Sequence, residues 1–260
     1  GAGGATGNRS VCLGVDSAAS GTRATVAGIR CTATGSQSVA GGEDSTATGD
    51  RAVALGYHVS TGGDGDVCVG NAIDMTLLST NPQDNVAVGN DIKPILPSAS
   101  AGGHRNIYVG AYVHPHNATA SNAESDNIYI GRDVNAIAGG GQLGTSENIN
   151  IGLFNVTNEV GTALNSNIAG VLVGSYQTTN QGEDGHATTM VGTENTVQFT
   201  LANGASVSPA VVAGYGNALH FGSVAGRVGA PLATVSIGSQ NQTVLGTVSV
   251  GVNNQNMTDS

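Results

Sequence analysis

Few residues of this 260-residue chain have types and spacings that do chemistry. His114 and His116 flank Pro115, and in an extended segment residues two apart share a face. Two imidazoles on one face are half a ligand set for a transition metal. Three chains meeting on an axis would supply six such nitrogens. The competing reading is a solvated loop. "GGDGD" (62–66) has the residues of a calcium-binding turn but lacks the G-G-x-G-x-D spacing and occurs once, so it reads as an ordinary turn. "QGEDGH" (181–186) reads as a solvated loop. Glu43–Asp44 and Glu183–Asp184 are neighbours in sequence, not carboxylates facing each other across a cleft. Threonines in "TATG" (32–35 and 46–49) would order water if laddered, but Ala18, Ser20 and Gly62 break the run, leaving a β face of small residues. Sequons begin at Asn117, Asn155 and Asn241 and matter only in a glycosylating host. No G-x-S-x-G, H-E-x-x-H, Walker or Rossmann motif occurs. The reading is of a non-enzymatic chain without a cofactor, the one exception being an axial metal ion at His114 and His116.

The composition says what kind of body carries these residues. Glycine numbers 41, tryptophan is absent and aromatics are 3%. The hydrophobic 39% is mostly Ala, Val and Ile, so the core is thin and long. Net charge is −10, with Lys93 as the single lysine and seven arginines that never cluster along the sequence. A phosphate-rich partner needs clustered cations, which argues against nucleic acid and anionic membrane surfaces. No apolar run approaches the roughly 20 residues that span a bilayer, so membrane insertion is not expected. Cys12, Cys31 and Cys68 form no C-x-x-C motif and read as small buried thiols.

Glycine recurs at 7, 14, 21 and every seventh position to 70. The full unit is fourteen residues: "RSVCLGVDSAASGT", "RATVAGIRCTATGS", "QSVAGGEDSTATGD", "RAVALGYHVSTGGD". Beyond Gly70 the unit lengthens to about 21 residues, but its head persists as "NVAVG", "NIYVG", "NIYIG" and "NINIG". Gly14, Gly28, Gly42, Gly56, Gly70, Gly89, Gly110, Gly131 and Gly152 mark the heads, and looser copies continue to Gly251, making fourteen anchors. β-Branched residues alternate before each glycine, which is the period of a strand. Val86 and Val88, Ile107 and Val109, Ile128 and Ile130, and Ile149 and Ile151 are expected to face the interior. The glycine that follows each head permits a sharp bend or positive φ, where a Cβ would clash. A second short strand ("STATG") and another bend close the coil.

Stacked coils make an all-β parallel β-roll or β-solenoid of about fourteen coils. An antiparallel meander would also place glycine every seven residues. It would not keep its heads intact while the unit grows from 14 to 21. Three regions follow: 1–70 with narrow 14-residue coils, 71–166 with wider coils, and 167–260 as an irregular continuation. "NDIKPILPSASAGGHR" (90–105) reads as a broadened arc or side loop. Asn85, Asn106, Asn127 and Asn148 are placed to ladder through their amides from coil to coil.

"QSVAGGEDSTATGDRAVALGYHVSTGG" resembles the head repeats of trimeric autotransporter adhesins, the YadA-type heads. Similar repeats occur in phage tail fibres. Ser38, Val39, Ala40, Gly42, Ser45, Ala47 and Gly49 carry the resemblance, as do Ala52, Val53, Ala54, Gly56 and Gly63. The close match covers about residues 9–70. The resemblance implies three chains around one axis and an extracellular role in attachment at a cell or virion surface, through host glycan or protein. The stripe Cys12, Val26, Ala40, Ala54, Cys68, Ala87, Tyr108, Tyr129, Asn150, Leu172, Met190 and Val212 is expected to point outward and either line a subunit interface or be covered by the chain's own side loops. The repeat runs close to both ends without polar caps. Open edges are therefore expected to be closed by a neighbouring domain or by end-to-end stacking, and a self-stacking structural filament is the rival reading. For receptor contact the wide coils offer Tyr112, His114, His116 and Arg132, on the ground that loops carry function.

Overall fold

The computed structural model describes residues 4–76, 83–94, 104–114, 116–117, 127–138 and 149–153, and from residue 154 onward the strands. Most of the arc at 90–105, the loop at 182–186 with Glu183 and Asp184, Asn148, and the sequon residues Asn155 and Asn241 lie outside the described residues. Everything described is strand or turn, with no helix. The chain divides into two units, Gly1–His114 with Ala123–Asp126, and Pro115–Asn122 with Asn127–Ser260.

In the first unit the strands are β1 (Val11–Val15), β2 (Ala18–Ala19), β3 (Thr25–Ile29), β4 (Thr32–Ala33), β5 (Val39–Glu43), β6 (Thr46–Ala47), β7 (Val53–Thr61), β8 (Val67–Asp74), β9 (Val86–Ile92) and β10 (Ile107–Val113). The heads pair in parallel in the order β1–β3–β5–β7–β8–β9–β10. Gly14, Gly28, Gly42, Gly56, Gly70, Gly89 and Gly110 form one column. That register holds whether the step is 14 or 21 residues, so extra length is taken up away from the heads. Between them β2, β4, β6 and the end of β7 stack as the second strand of each coil. This is the parallel roll, and it excludes the meander.

The second unit holds β11 (His116–Asn117), β12 (Ile128–Arg132), β13 (Asn135–Ala138), β14 (Ile149–Leu153), β15 (Val156–Glu159), β16 (Ala169–Ser175), β17 (Thr178–Gln181), β18 (Ala187–Thr193), β19 (Thr196–Phe199), β20 (Ala210–Tyr215), β21 (Ala218–Phe221), β22 (Thr234–Ser239), β23 (Gln242–Thr243) and β24 (Val248–Val252). Even-numbered strands from β12 to β24 are heads in parallel register, and the odd strands β11 to β23 stack as a second parallel sheet. Head and second strand keep a fixed offset past the glycine, from Gly131 to Asn135 and from Gly152 to Val156.

Two expectations need correcting. The first concerns the glycines. Those that end the heads do take positive φ, from 104° to 153°, but the tight corners are made by residues with a Cβ in the left-handed region: Arg9, Arg23, Gln37 and Arg51 on one side, and Asp16, Arg30, Asp44 and His58 on the other, all with φ between 52° and 62°. Such residues pay a local conformational cost. Their N–H groups offset it by bonding to the coil before, as Arg23 N does to Asn8 O at 2.8 Å and Arg51 N to Ser36 O at 2.8 Å. The glycines serve close approach between coils. A Cβ on Gly28, where φ is +153°, would lie 2.0 Å from the Gly42 carbonyl oxygen. A Cβ on Gly35 would lie 1.9 Å from the Gly49 carbonyl oxygen.

The second correction inverts the head strand. The middle residue of each head points inward: Val26, Ala54, Cys68, Ala87 and Tyr108 are fully buried. Val88 is 39% exposed, and Val86, Ile107 and Val109 are half-buried. In the second unit Tyr129 is fully buried, while Ile128, Ile130, Ile149 and Ile151 are half-buried. The stripe expected outside is thus the core wherever its side chains are described, apart from the half-buried Cys12. The reason is volume. A 14-residue coil packs mostly alanine, at Ala33, Ala40, Ala47 and Ala54, and takes in single valines at Val26 and Val59. Tyrosine enters the interior column only at Tyr108 and Tyr129, in the longer coils. Cys31 and Cys68 are buried and all three thiols are free.

The amide ladder exists, and a carboxylate is its foot. Asp66 Oδ1 accepts from Asn85 N (2.9 Å) and Nδ2 (3.0 Å), and Asn85 Oδ1 accepts from Asn106 N (2.9 Å) and Nδ2 (3.2 Å). Asp66 Oδ2 accepts from Gly63 N at 3.1 Å and from Thr61 Oγ1 at 3.3 Å. Burial raises the Asp66 carboxyl above the ordinary range, against the lowering effect of those bonds. Below it the same column is Ser38 and Ala52, so the ladder begins where the coils lengthen.

Candidate binding surface

With the small residues turned inward, the β-branched residues of the heads lie on the outer face. Leu13 is 65% exposed, Val15 62% and Tyr57 47%. Val11, Ile29, Leu55, Val69 and Val88 are exposed beside them. In-register pairing lines them up: Leu55, Val69 and Val88 stand in one rank on β7, β8 and β9. Polar residues appear at the far edge of the face, where Asn71 Nδ2 donates to Asn90 Oδ1 at 2.7 Å next to Tyr57. Single exposed apolar residues need no explanation, but a stacked file of them does.

The two corners that flank this face carry charge differently. At the corner after the head, Arg30 is matched by acids: Nε donates to Asp44 Oδ1 at 2.5 Å, and Nη2 donates to Asp44 Oδ2 and to Glu43 Oε1, each at 2.7 Å. The bond from Arg30 holds the Asp44 carboxyl below its ordinary range. His58 Nδ1 lies 3.7 Å from Asp44 Oδ2, and its ring stands edge-on to Tyr57. Higher in the same column Lys93 Nζ lies 2.6 Å from Asp91 Oδ1, and this pairing lowers the Asp91 carboxyl. The corner before the head stacks Arg9, Arg23, Gln37 and Arg51, all exposed. Sequence reading missed this file because its members are fourteen or twenty-eight residues apart. Periodicity was the signal that could have found it.

The residues proposed for contact are divided between the two units. Tyr112 is exposed at a left-handed corner, φ 56°, in the first unit. His114, two residues on, is half-buried with Nε2 3.5 Å from Asp91 Oδ2. His116 belongs to the second unit, where its backbone pairs with Ile137, and its side chain lies outside the described residues. Arg132, also in the second unit, is exposed with Nε 3.3 Å from Asp133 Oδ2. Among the described residues no group of three or more His, Cys, Asp or Glu is placed to hold a metal ion.

Comparison with protein families gives two matches to the YadA head domain repeat, over residues 5–28 and 33–58. These segments hold the first coils, with both corners, both glycine columns and the exposed head face. The N-terminal coils match YadA-type head repeats. A search of curated proteins gives no match. The YadA head repeat is an adhesin-type, extracellular structural repeat rather than an enzymatic one, and its fold here is the parallel roll described above. Its signature residues divide by role in this chain. Gly42 and Gly56 let coils touch, Ala40 and Ala54 fill the interior, and Val39 and Val53 stand on the outer face.

Proposed function

We propose that this chain is a non-enzymatic attachment module displayed at a cell surface, assembled as a homotrimer through the outer face of its head strands. The observation that carries the reading is the file of exposed Val, Leu and Ile on the heads of YadA-type repeats. A thin roll filled with alanine buries little apolar surface of its own. Covering each exposed Val or Leu with another chain adds about 1.5–3 kcal/mol at full burial. Three copies with this face toward a common axis bury it once and close the assembly. The remaining surface, on the second strands and corners, is left for a host glycan or protein.

Attachment is tested by adherence of beads coated with the full chain to host cells, with an unrelated β-solenoid as control. Saturable adherence above the control supports the reading, and equal adherence refutes it. A self-stacking filament would appear as long fibres in electron micrographs of the purified protein. The attachment module appears as discrete particles.

A further inference from the structure

Both corners of the narrow coils are built alike, from left-handed residues at φ near 52–62°, yet only one is neutralised. The corner after the head pairs Arg30 with Asp44 and Glu43. The corner before it stacks Arg9, Arg23 and Arg51 with only Gln37 between, in a chain with net charge −10. All three guanidinium groups are exposed, and no carboxylate lies within ion-pairing distance of them among the described residues. The nearby Asp50 carboxylate is turned to the backbone, accepting from Ser36 N at 2.7 Å. Backbone bonds between successive corners fix the rise at about 4.8 Å per coil, the spacing of paired strands. Cations held in a straight file at that spacing repel one another unless an anion lies along them. Screening over roughly 8 Å at physiological salt makes this local field independent of the distant acidic surface.

We propose that Arg9, Arg23 and Arg51 form a contact ridge for a linear anionic glycan carrying sulfate or carboxylate groups. The proposal rests on the attachment reading and names the ligand class. Each planar guanidinium presents a fork that matches a carboxylate or sulfate edge. The rise of one coil is close to the length of one sugar unit, so a chain laid along the ridge brings successive units past successive corners. Gln37 faces the unit between two charged contacts and offers an amide to a hydroxyl. Exposed Thr22 and Ser36 run beside the file and extend the hydrogen-bonding strip. Three weak contacts on one polymer act together, giving binding that no single arginine would sustain. Among the described residues no aromatic side chain is placed in this corner file to stack a base, which favours a glycan over single-stranded nucleic acid.

The test is binding of the full chain to immobilised heparin and hyaluronan oligosaccharides, with neutral dextran, phosphatidylserine vesicles and single-stranded DNA as comparison probes. Molar mass is measured on the same samples. Binding to a sulfated or carboxylated glycan is expected, weakening as salt rises. Each single change Arg9→Gln, Arg23→Gln or Arg51→Gln is expected to weaken it about two- to fivefold, and the triple change more than about tenfold. Arg30→Gln, at the neutralised corner, is expected to leave it unchanged. The proposal is overturned if the triple variant binds as well as wild type, if neither glycan binds, or if only vesicles or DNA bind. It is equally overturned if the triple variant changes molar mass, since the ridge would then be closing against another copy. Adherence that persists on cells stripped of anionic glycan would refute the ridge and leave the attachment role standing.

Discussion

The narrow and the wide coils of the first unit solve one packing problem with different interiors. Around β3 to β7 the interior column of the heads is Val26, Ala40 and Ala54, and Ser38 and Ala52 fill the position at the head's start. By β9 and β10 the column has become Ala87 and Tyr108, and the start position holds the hydrogen-bonded Asn85 and Asn106. The outer face changes far less: Val39, Val53, Val67, Val86 and Ile107 keep one β-branched rank across the transition. Among the described residues tyrosine enters the interior column only in the longer coils, whereas the outer rank keeps its β-branched residues. This rank stays β-branched while the core behind it is rebuilt, and the next outward rank varies more, from Leu13 through Ala27 and Gly41 to Leu55, Val69 and Val88.

The comparison can be broken most severely at the spine both coil types share. Gly28→Ala puts a Cβ against the Gly42 backbone at a positive φ, and is expected to cost about 4 kcal/mol or more, read as a lost or strongly lowered unfolding transition. Gly62→Ala is its control: the nearest atoms to a Cβ there are 3.8 Å away, and the expected change is within about 0.5 kcal/mol. Next comes the interior. Tyr108→Ala is expected to cost about 3–5 kcal/mol by emptying the wide coil. Ala54→Leu is expected to cost about 1–3 kcal/mol by overfilling a narrow one. Chemical denaturation of each variant checks both.

The smallest effect is expected at the junction. Because burial raises the Asp66 carboxyl above its ordinary value near 4, the folded state binds more protons than the unfolded state between that value and the raised one. Stability from this group is therefore present at lower pH and declines as pH rises through the window. Asp66→Asn is expected to flatten that slope and to cost about 1 kcal/mol at acidic pH, because the amide has one accepting atom where the carboxyl group has two positions, and so loses either the Asn85 donors or those of Gly63 and Thr61. Thermal midpoints across the acidic range, wild type against variant, would show it.

Much of the fold is legible in the sequence. Heptad-spaced glycine, the V-x-V-G alternation and heads that survive lengthening require parallel stacking in register. Asn85 and Asn106, 21 residues apart, already imply an amide ladder. The sequence does not say which face is inside, because a period of two defines two faces without ranking them. Available volume ranks them: the inward rank of the short coils is mostly alanine, as at Ala40 and Ala54, with one valine at Val26. The corners were hidden for a related reason. Glycine is used up where backbones touch, so left-handed φ falls to Arg, Gln, Asp and His. The arginine ridge becomes visible only once the stack is built, as does the neutralisation of Arg30 by residues one coil away. The contact set Tyr112, His114, His116 and Arg132 drew on the general habits of loops and falls across the two units.

The central claim is that the apolar head face is made to be covered by two further copies of the chain. Light scattering of the full chain tests it most directly. The expected result is three times the 25.6 kDa mass of one chain, falling to a single mass when Leu55→Glu and Val69→Glu place charge in the middle of the face. A wild-type mass of one chain, or a mass that the two substitutions leave unchanged, would contradict it.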